Sequence, residues 1–358
     1  MRCFACLYLL ILTACSLVPG DARALTISAD GRQLLDSGGR TIFLNGDAPW
    51  GVLARLTREE TIQYLDARRQ AGFNALLIRM LNNDDFHTGS FDNAYGNPPF
   101  LVPNDFTTPN EAYFQHVDWF MEQATQRGFY LLIAPAYIGY NCTVQGFCQA
   151  MIQAGPEVMR DWGRWIGQRY ASYDNLIWID GGDAQAANAG AMGVVDAVAE
   201  GILEVSPNQL HSAHAGRYVS AIDGYDRPWL DLNNTYSDCE QTPAQLRNDW
   251  ERNPVRPFFY IEGDYEHEPG ATAVCLRSQA DWSLLGGAIG HIFGNRPMWD
   301  FWSGWEDALN SPGSQSMRHF RDLIYSRNWQ QLEPDWNHQV LVSGYDSPGA
   351  GYAAAARM

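Results

Sequence analysis

Twice in this chain a short apolar run stops on a carboxylate, and this feature constrains the fold more than any other. Phe258-Phe259-Tyr260-Ile261-Glu262, bounded by Pro257 and Gly263, reads as a buried strand. Leu176-Ile177-Trp178-Ile179-Asp180-Gly181-Gly182-Asp183 follows the same grammar. The C-terminal lip of a buried strand is where an α/β barrel keeps its catalytic groups. Two strands therefore each deliver an acid to what is expected to be one face.

The rest of the chain supplies the other strands of such a barrel. Thr26 to Leu44, with Asp30-Gly31 and Gly38-Gly39 turns, predicts a hairpin capping the barrel bottom, and Asn45-Gly46-Asp47 ends barrel strand one. Thr57 and Glu60 form a capping box for a helix running to Gln70. Strand two is expected over 74–80, then a long polar insertion over 81–110, a helix over 110–127 and strand three over 128–134. Connections as long as 81–110 are uncommon unless functional or disordered. Helices over 156–173, 193–205 and 242–252 alternate with strands ending at Asp183, at His214 and over 230–234, and the last strand spans 289–294. The fold class is α/β, a single (β/α)8 TIM barrel over residues 25–335. A doubly wound dinucleotide fold is the competitor, but no Gly-x-Gly-x-x-Gly follows strand one. Gln339–Ser343 and Tyr352–Ala356 read as a hairpin, so residues 336–358 are expected to begin a C-terminal β domain that is cut short.

Composition narrows the partners. A net charge of −17 at pH 7 argues against nucleic acid and anionic membrane surfaces. Thirteen Trp and seventeen Tyr serve as core filling and as stacking platforms for sugars. Residues 1–24 carry an apolar run with Ala22-Arg23-Ala24 as a cleavage site, the pattern of an export signal. Leu12-Thr13-Ala14-Cys15 offers a competing lipobox, which would anchor the chain through lipid on Cys15. Either way the mature chain leaves the cytoplasm, secreted, periplasmic or on the surface, and a monomer is expected. Four cysteines then remain, and an even number in an exported chain favours disulfides. The near neighbours Cys142 and Cys148 are expected to pair, leaving Cys239 with Cys275. No Cys-x-x-Cys and no His at ligand spacing occurs, so neither metal nor cofactor is expected.

Two carboxylates on different strands of one barrel are the minimum machinery for glycoside hydrolysis, one as proton donor and one as anion. Carboxyl groups about 5 Å apart across the barrel mouth would make the reaction retaining. The plainer reading has Asp183 capping the next helix and Glu262 paired with a buried Arg. That reading serves for either acid alone, and less well for two at matching strand ends. Asp47 and Trp50 are expected to open onto the pocket as a sugar-hydroxyl contact and a stacking ring. His214 is a candidate for sugar binding or for tuning Glu262, although a lone His is more often structural. Glu266 is read either as a second acid near Glu262 or as a solvated loop residue. Asp180 lies on the opposite phase from Ile179, and Trp299 and Trp302 are candidate pocket walls.

The segments Asn45-Gly46-Asp47-Ala48-Pro49-Trp50, Leu56-Thr57-Arg58-Glu59-Glu60, Tyr95-Gly96-Asn97-Pro98-Pro99-Phe100 and Tyr173 to Asp183 resemble the apiosidase-like glycoside hydrolases, family 140 in glycoside hydrolase nomenclature. The likeness runs from about Leu25 to Asp335. It implies an exported bacterial enzyme acting on plant cell-wall polysaccharide, releasing apiose from pectic side chains, with a C-terminal β-sandwich. It also implies Asp183 as acid/base and Glu262 as nucleophile, with Glu266 completing the family's Glu-x-x-x-Glu spacing. This chain departs from the family pattern at Ala48-Pro49 and Glu262-Gly263 and in the Cys142–Cys148 loop, which leaves the sugar open. A glycan-binding barrel without catalysis is the rival reading.

Overall fold

The computed structural model describes residues 25–83, 91–143, 145–187, 189–345 and 351–358. The export signal expected over residues 1–24, with Cys15, and Asp84 and Asp85 of the polar insertion lie outside the described residues. β1 (Thr26–Ile27), β2 (Leu34–Leu35) and β3 (Thr41–Ile42) pair antiparallel as a three-stranded cap. Eight strands follow: β4 (Leu44–Asp47), β5 (Ala75–Arg79), β6 (Tyr130–Ala134), β7 (Leu176–Gly181), β8 (Leu210–His214), β9 (Asn233–Tyr236), β10 (Phe258–Glu262) and β11 (Gly290–Phe293). They form one sheet in the order β8-β7-β6-β5-β4-β11-β10-β9, every pair parallel. The (β/α)8 barrel is thereby confirmed.

Closure between β8 and β9 uses side chains in place of a regular ladder. Asp231 and Leu232 both donate backbone N–H to the His211 carbonyl at 3.0 Å. Asn234 Nδ2 then donates to the Ala213 carbonyl at 2.6 Å, and Ser212 Oγ to the Leu232 carbonyl at 2.8 Å. Amide and hydroxyl groups here satisfy buried backbone groups that would otherwise lie unpaired.

Strand alternation sorts the chain into two apolar layers. Leu44, Ala75, Leu77, Leu132, Ile177, Ile179, Leu232, Phe259, Ile261 and Ile292 fill the barrel interior above the capping sheet. Leu76, Ile78, Leu131, Ile133, Trp178 and Phe293 face the surrounding helices. The capping box forms as expected: Thr57 Oγ1 accepts from the Glu60 N–H, and Glu60 accepts from the Thr57 N–H at 2.8 Å.

Several boundaries differ from expectation. Barrel strand six begins at Asn233, because Asp231 and Leu232 spend their N–H groups on β8. The third barrel helix starts at Cys148 and bends at Gly155, whose φ is +81°, before Pro156 opens its second segment. Helices Ala273–Leu285 and Pro312–Tyr325 complete the outer ring. The expected hairpin at the C-terminal end is corrected. Asp335 accepts N–H bonds from Gln339, Val340 and Leu341 at 2.8–2.9 Å, which winds that stretch into a turn. The pairing strands are instead β12 (Glu333–Pro334) and β13 (Ala356–Arg357). Trp336 packs with Leu246 and Trp282, and Tyr352 stands edge-on to Trp282, so this segment rests on the barrel.

Candidate active site

The two acids reach the barrel mouth by different backbone devices. After β7 the chain needs a sharp turn to lift Asp183 over the rim. Gly181 takes φ +80°, and a Cβ on Gly182 would approach the backbone of Ile138 and Gly139 to 2.8 Å. A side chain at Gly182 would collide there, and one at Gly181 would be strained. Glu262 presents the opposite problem. Phe259 and Ile261 point into the barrel, so strict alternation would send Glu262 outward with Tyr260. The register against β9 slips between Tyr260 and Glu262. That bulge re-aims Glu262 toward the pocket.

Asp183 and Glu262 line one inner pocket of about 170 Å³, walled also by Trp50, Arg79, Tyr137, Tyr265 and Trp299. Asp183 also borders an outer groove of about 730 Å³, and Arg217 and Tyr236 are common to both. The acid therefore stands at the neck between a small chamber and a wide approach.

Their surroundings differ. Burial foremost, and then the negative charge of Glu262, push the Asp183 carboxyl up to about 6, against the pull of His214 and Arg217. Glu262 accepts from His214 Nε2 at 2.6 Å and from the Tyr265 hydroxyl, which in turn accepts from Trp50 Nε1 at 2.9 Å. His214 Nδ1 donates to the Ala215 carbonyl at 3.0 Å, which fixes Nε2 toward the carboxylate once the ring is charged. Burial favours discharging this imidazole, but the hydrogen bond to Glu262 and the charges of both acids outweigh it and raise its pKa. One carboxyl is thus poised to hold a proton while the other is gripped as an acceptor. A pair divided in this way can supply a proton donor and an anion to one reacting bond.

The chain's other expected site residues divide in two. Trp50, His214 and Trp299 border or support the pocket, with the Trp50 ring 5.5 Å from His214 and Trp299 6.2 Å from Tyr265. Asp47 does not reach it. Leu44 faces the barrel interior, so Asp47, three residues on, faces outward. There it accepts from Arg68 Nε at 2.7 Å and Tyr64 at 2.6 Å, fully buried. Glu266 is a tie between loops: its carboxylate accepts from Asn295 Nδ2 at 2.9 Å, Ser311 Oγ at 2.5 Å and the Gly313 N–H at 2.7 Å. It is neither solvated nor aimed at Glu262. Asp180 likewise faces outward and pairs with His211 at 2.7 Å. Both expected disulfides are present, Cys142–Cys148 and Cys239–Cys275. Arg79, Tyr137, Arg217, Tyr236 and Tyr265 are pocket residues the sequence reading missed. Arg79 carried a signal, since it ends the apolar run of β5 on the phase of Ala75 and Leu77. Among the described residues no cluster of His, Cys, Asp and Glu could hold a metal ion.

The family model of the apiosidase-like catalytic domain matches residues 28–331. The chain belongs to the apiosidase-like family. Apiosidase-like domains are glycoside hydrolases, so the chain is a glycosidase and its substrate a carbohydrate. Solved structures share the fold. A glycoside hydrolase family 5 protein from Bacteroides vulgatus is 24% identical with a TM-score of 0.78, over 94% of this chain and 78% of that one. A protein titled glycoside hydrolase is 22% identical with a TM-score of 0.76, over 88% and 78%. A family 5 mannosidase from Rhizomucor miehei is 12% identical with a TM-score of 0.63, over 86% and 99%. No curated protein sequence matches the chain. No helix among the described residues of this apiosidase-like chain is long and apolar enough to cross a membrane.

Proposed function

We propose that this glycosidase is a retaining enzyme that removes a single apiose residue from pectic side chains, in an exported form. The observation that carries the mechanism is the divided carboxyl pair: Asp183 raised to about 6 and Glu262 held by His214 and Tyr265. In the first step Asp183 gives its proton to the glycosidic oxygen while a Glu262 oxygen attacks the anomeric carbon. The C–O bond to the leaving group breaks and a glycosyl ester forms on Glu262. In the second step Asp183, now ionised, takes a proton from water. That water's oxygen attacks the anomeric carbon, the ester bond breaks, and Glu262 is released as carboxylate. Trp50 positions Tyr265, and Tyr265 and His214 hold Glu262, so its attacking oxygen needs little reorganisation.

The inner pocket of about 170 Å³ is well below the ~300–1,000 Å³ of a drug-sized site, which supports one sugar ring at a time. The apiose and pectin assignments rest on the family. Two disulfides support an oxidising compartment. Proton NMR of an apiose-bearing pectic oligosaccharide in the first minutes of digestion tests the reading. Apiose released with the anomeric configuration of the substrate is expected. The inverted anomer removes Glu262 from the nucleophile role, and release of a different sugar removes apiose.

A further inference from the structure

Apart from Asp183 at its neck, the outer groove of about 730 Å³ takes no part in the proposed chemistry, yet each of its walls holds a non-glycine residue at positive φ. Seven described non-glycine residues have positive φ; two of them line this groove, Asn141 (+49°) on one side and Tyr218 (+68°) on the other, and Cys142 (+59°) follows Asn141 in the same loop. Such a conformation in a bulky residue is a genuine outlier, kept where the surroundings over-determine it and clustered at functional sites.

Tyr218 sits in the tight turn Gly216-Arg217-Tyr218-Val219, closed by the Val219 N–H on the Gly216 carbonyl at 3.0 Å. This is a position where glycine is the ordinary choice. A tyrosine stands there instead, 53% exposed, beside the neck that Asp183 occupies. Opposite it, Tyr140 is 52% exposed on a loop pinned by the Cys142–Cys148 disulfide. That loop is tied to the acid itself, the Asn141 N–H donating to the Asp183 carbonyl at 3.0 Å. Two exposed tyrosines, each on constrained backbone, thus flank the exit from the proton donor. The Tyr218 hydroxyl donates to Asp238, which steadies the ring and leaves its apolar face to the groove, while Tyr140 offers both a ring face and a polar tip, the combination that suits a sugar ring.

We infer that this groove is the leaving-group subsite, where Tyr218 and Tyr140 are the platforms for a polymeric glycan and the Cys142–Cys148 bridge holds Tyr140 in place. The inference rests on the acid role of Asp183 in the proposed mechanism, because the glycosidic oxygen must lie at the neck. It assigns the polymer, and not the released sugar, to the larger cavity.

The test is binding of a printed array of pectic and hemicellulosic oligosaccharides to Glu262→Gln, alone and combined with Tyr218→Gly, Tyr140→Ala or Cys142→Ser/Cys148→Ser. Glycine fits the turn at 218, so Tyr218→Gly gives up only the exposed hydrogen bond to Asp238 and is expected to lower Tm by no more than about 1–2 °C. Its affinity for the glycans that Glu262→Gln captures should fall roughly tenfold, the factor that 1.4 kcal/mol represents. The disulfide variant should lose affinity to the extent Tyr140→Ala does. Capture unaffected by Tyr218→Gly and Tyr140→Ala overturns the inference, as does the absence of any captured glycan. Tyrosine-dependent capture together with wild-type protein that releases no apiose keeps the groove and rejects the apiose reading.

Discussion

Replacing Asp183 by Asn should make the protein more stable while disabling it. The Asp183 carboxyl is raised from 3.8 to about 6, chiefly by burial and then by the charge of Glu262. A raised acid favours the folded state in its protonated form. Its contribution is therefore intact below pH 3.8 and lost as pH rises toward and through 6. A shift of about 2 units corresponds to about 3 kcal/mol at most. Asp183 is only half-buried, and it titrates together with Glu262, so on the order of 1–2 kcal/mol is the expected gain at pH 7. The amide oxygen of the substituted side chain still accepts the backbone N–H of Arg217 that Asp183 accepts, and its NH2 faces the Glu262 carboxylate and the open neck of the groove. With an unfolding entropy near 2.1 cal/mol/K per residue, the gain amounts to about 1–3 °C in Tm. Paired thermal melts of wild type and Asp183→Asn at pH 7.5, 6, 5 and 4 would measure it. The difference should shrink steadily below pH 6 and vanish near pH 4. A variant less stable than wild type at pH 7.5, or a gain that does not change with pH, would refute the assignment of a desolvated, like-charged carboxyl at this position.

Other expectations follow from the same structure. Because Asp183 must enter the reaction protonated, kcat/KM should fall above about pH 6, approaching tenfold per unit, and Asp183→Asn should lose ~10²–10⁴-fold on a poor leaving group. An activated aryl glycoside should suffer far less in the first step, and azide should restore the second; equal losses on both substrates would count against the acid role. Arg68→Met strands the buried Asp47 charge and should cost about 3–5 kcal/mol in urea melts, whereas a sugar-contacting Asp47 would give a small stability change and a raised KM. Glu266→Ala leaves the donors of Asn295, Ser311 and Gly313 without their acceptor, so a loss of roughly 3 kcal/mol is expected, and a neutral result would contradict the tie between loops. Cys239 and Cys275 are 36 residues apart, and removing this bridge should cost about 3–4 kcal/mol, measured as a shifted denaturant midpoint.

Much of this architecture was legible in the order of residues, and the failures have local causes. Both acids were found because an apolar run that ends on a carboxylate leaves the charge only the strand lip. The phase of each strand was equally readable: Ala75 and Leu77 inward place Arg79 in the pocket, and Leu44 inward turns Asp47 away. Asp47 is close in sequence to the pocket residue Trp50, but strand alternation turns its carboxylate outward onto Arg68 and Tyr64. Glu262 breaks the alternation through a bulge, which no spacing announces, and strand-end logic places it at the same mouth as Asp183 without needing that bulge. Glu266 eluded reading because its partners Ser311 and Gly313 are 45 and 47 residues away. The C-terminal hairpin was lost to three N–H bonds on Asp335, a local capture of backbone that β propensity cannot see. Tyr137, Arg217 and Tyr236 lie in loops or strand ends whose aim depends on tertiary packing.

The central claim is that Glu262 forms a covalent bond to the sugar. The most direct measurement is peptide mass spectrometry of Asp183→Asn after rapid acid quench from turnover of an activated aryl apioside, where the second step lacks its base and the ester accumulates. The account predicts a pentosyl mass increment on the peptide carrying Glu262, removed by azide before the quench and missing when Glu262→Gln is added to the variant. An increment on any other residue, or burst release of the aryl alcohol with no modified peptide, would contradict it.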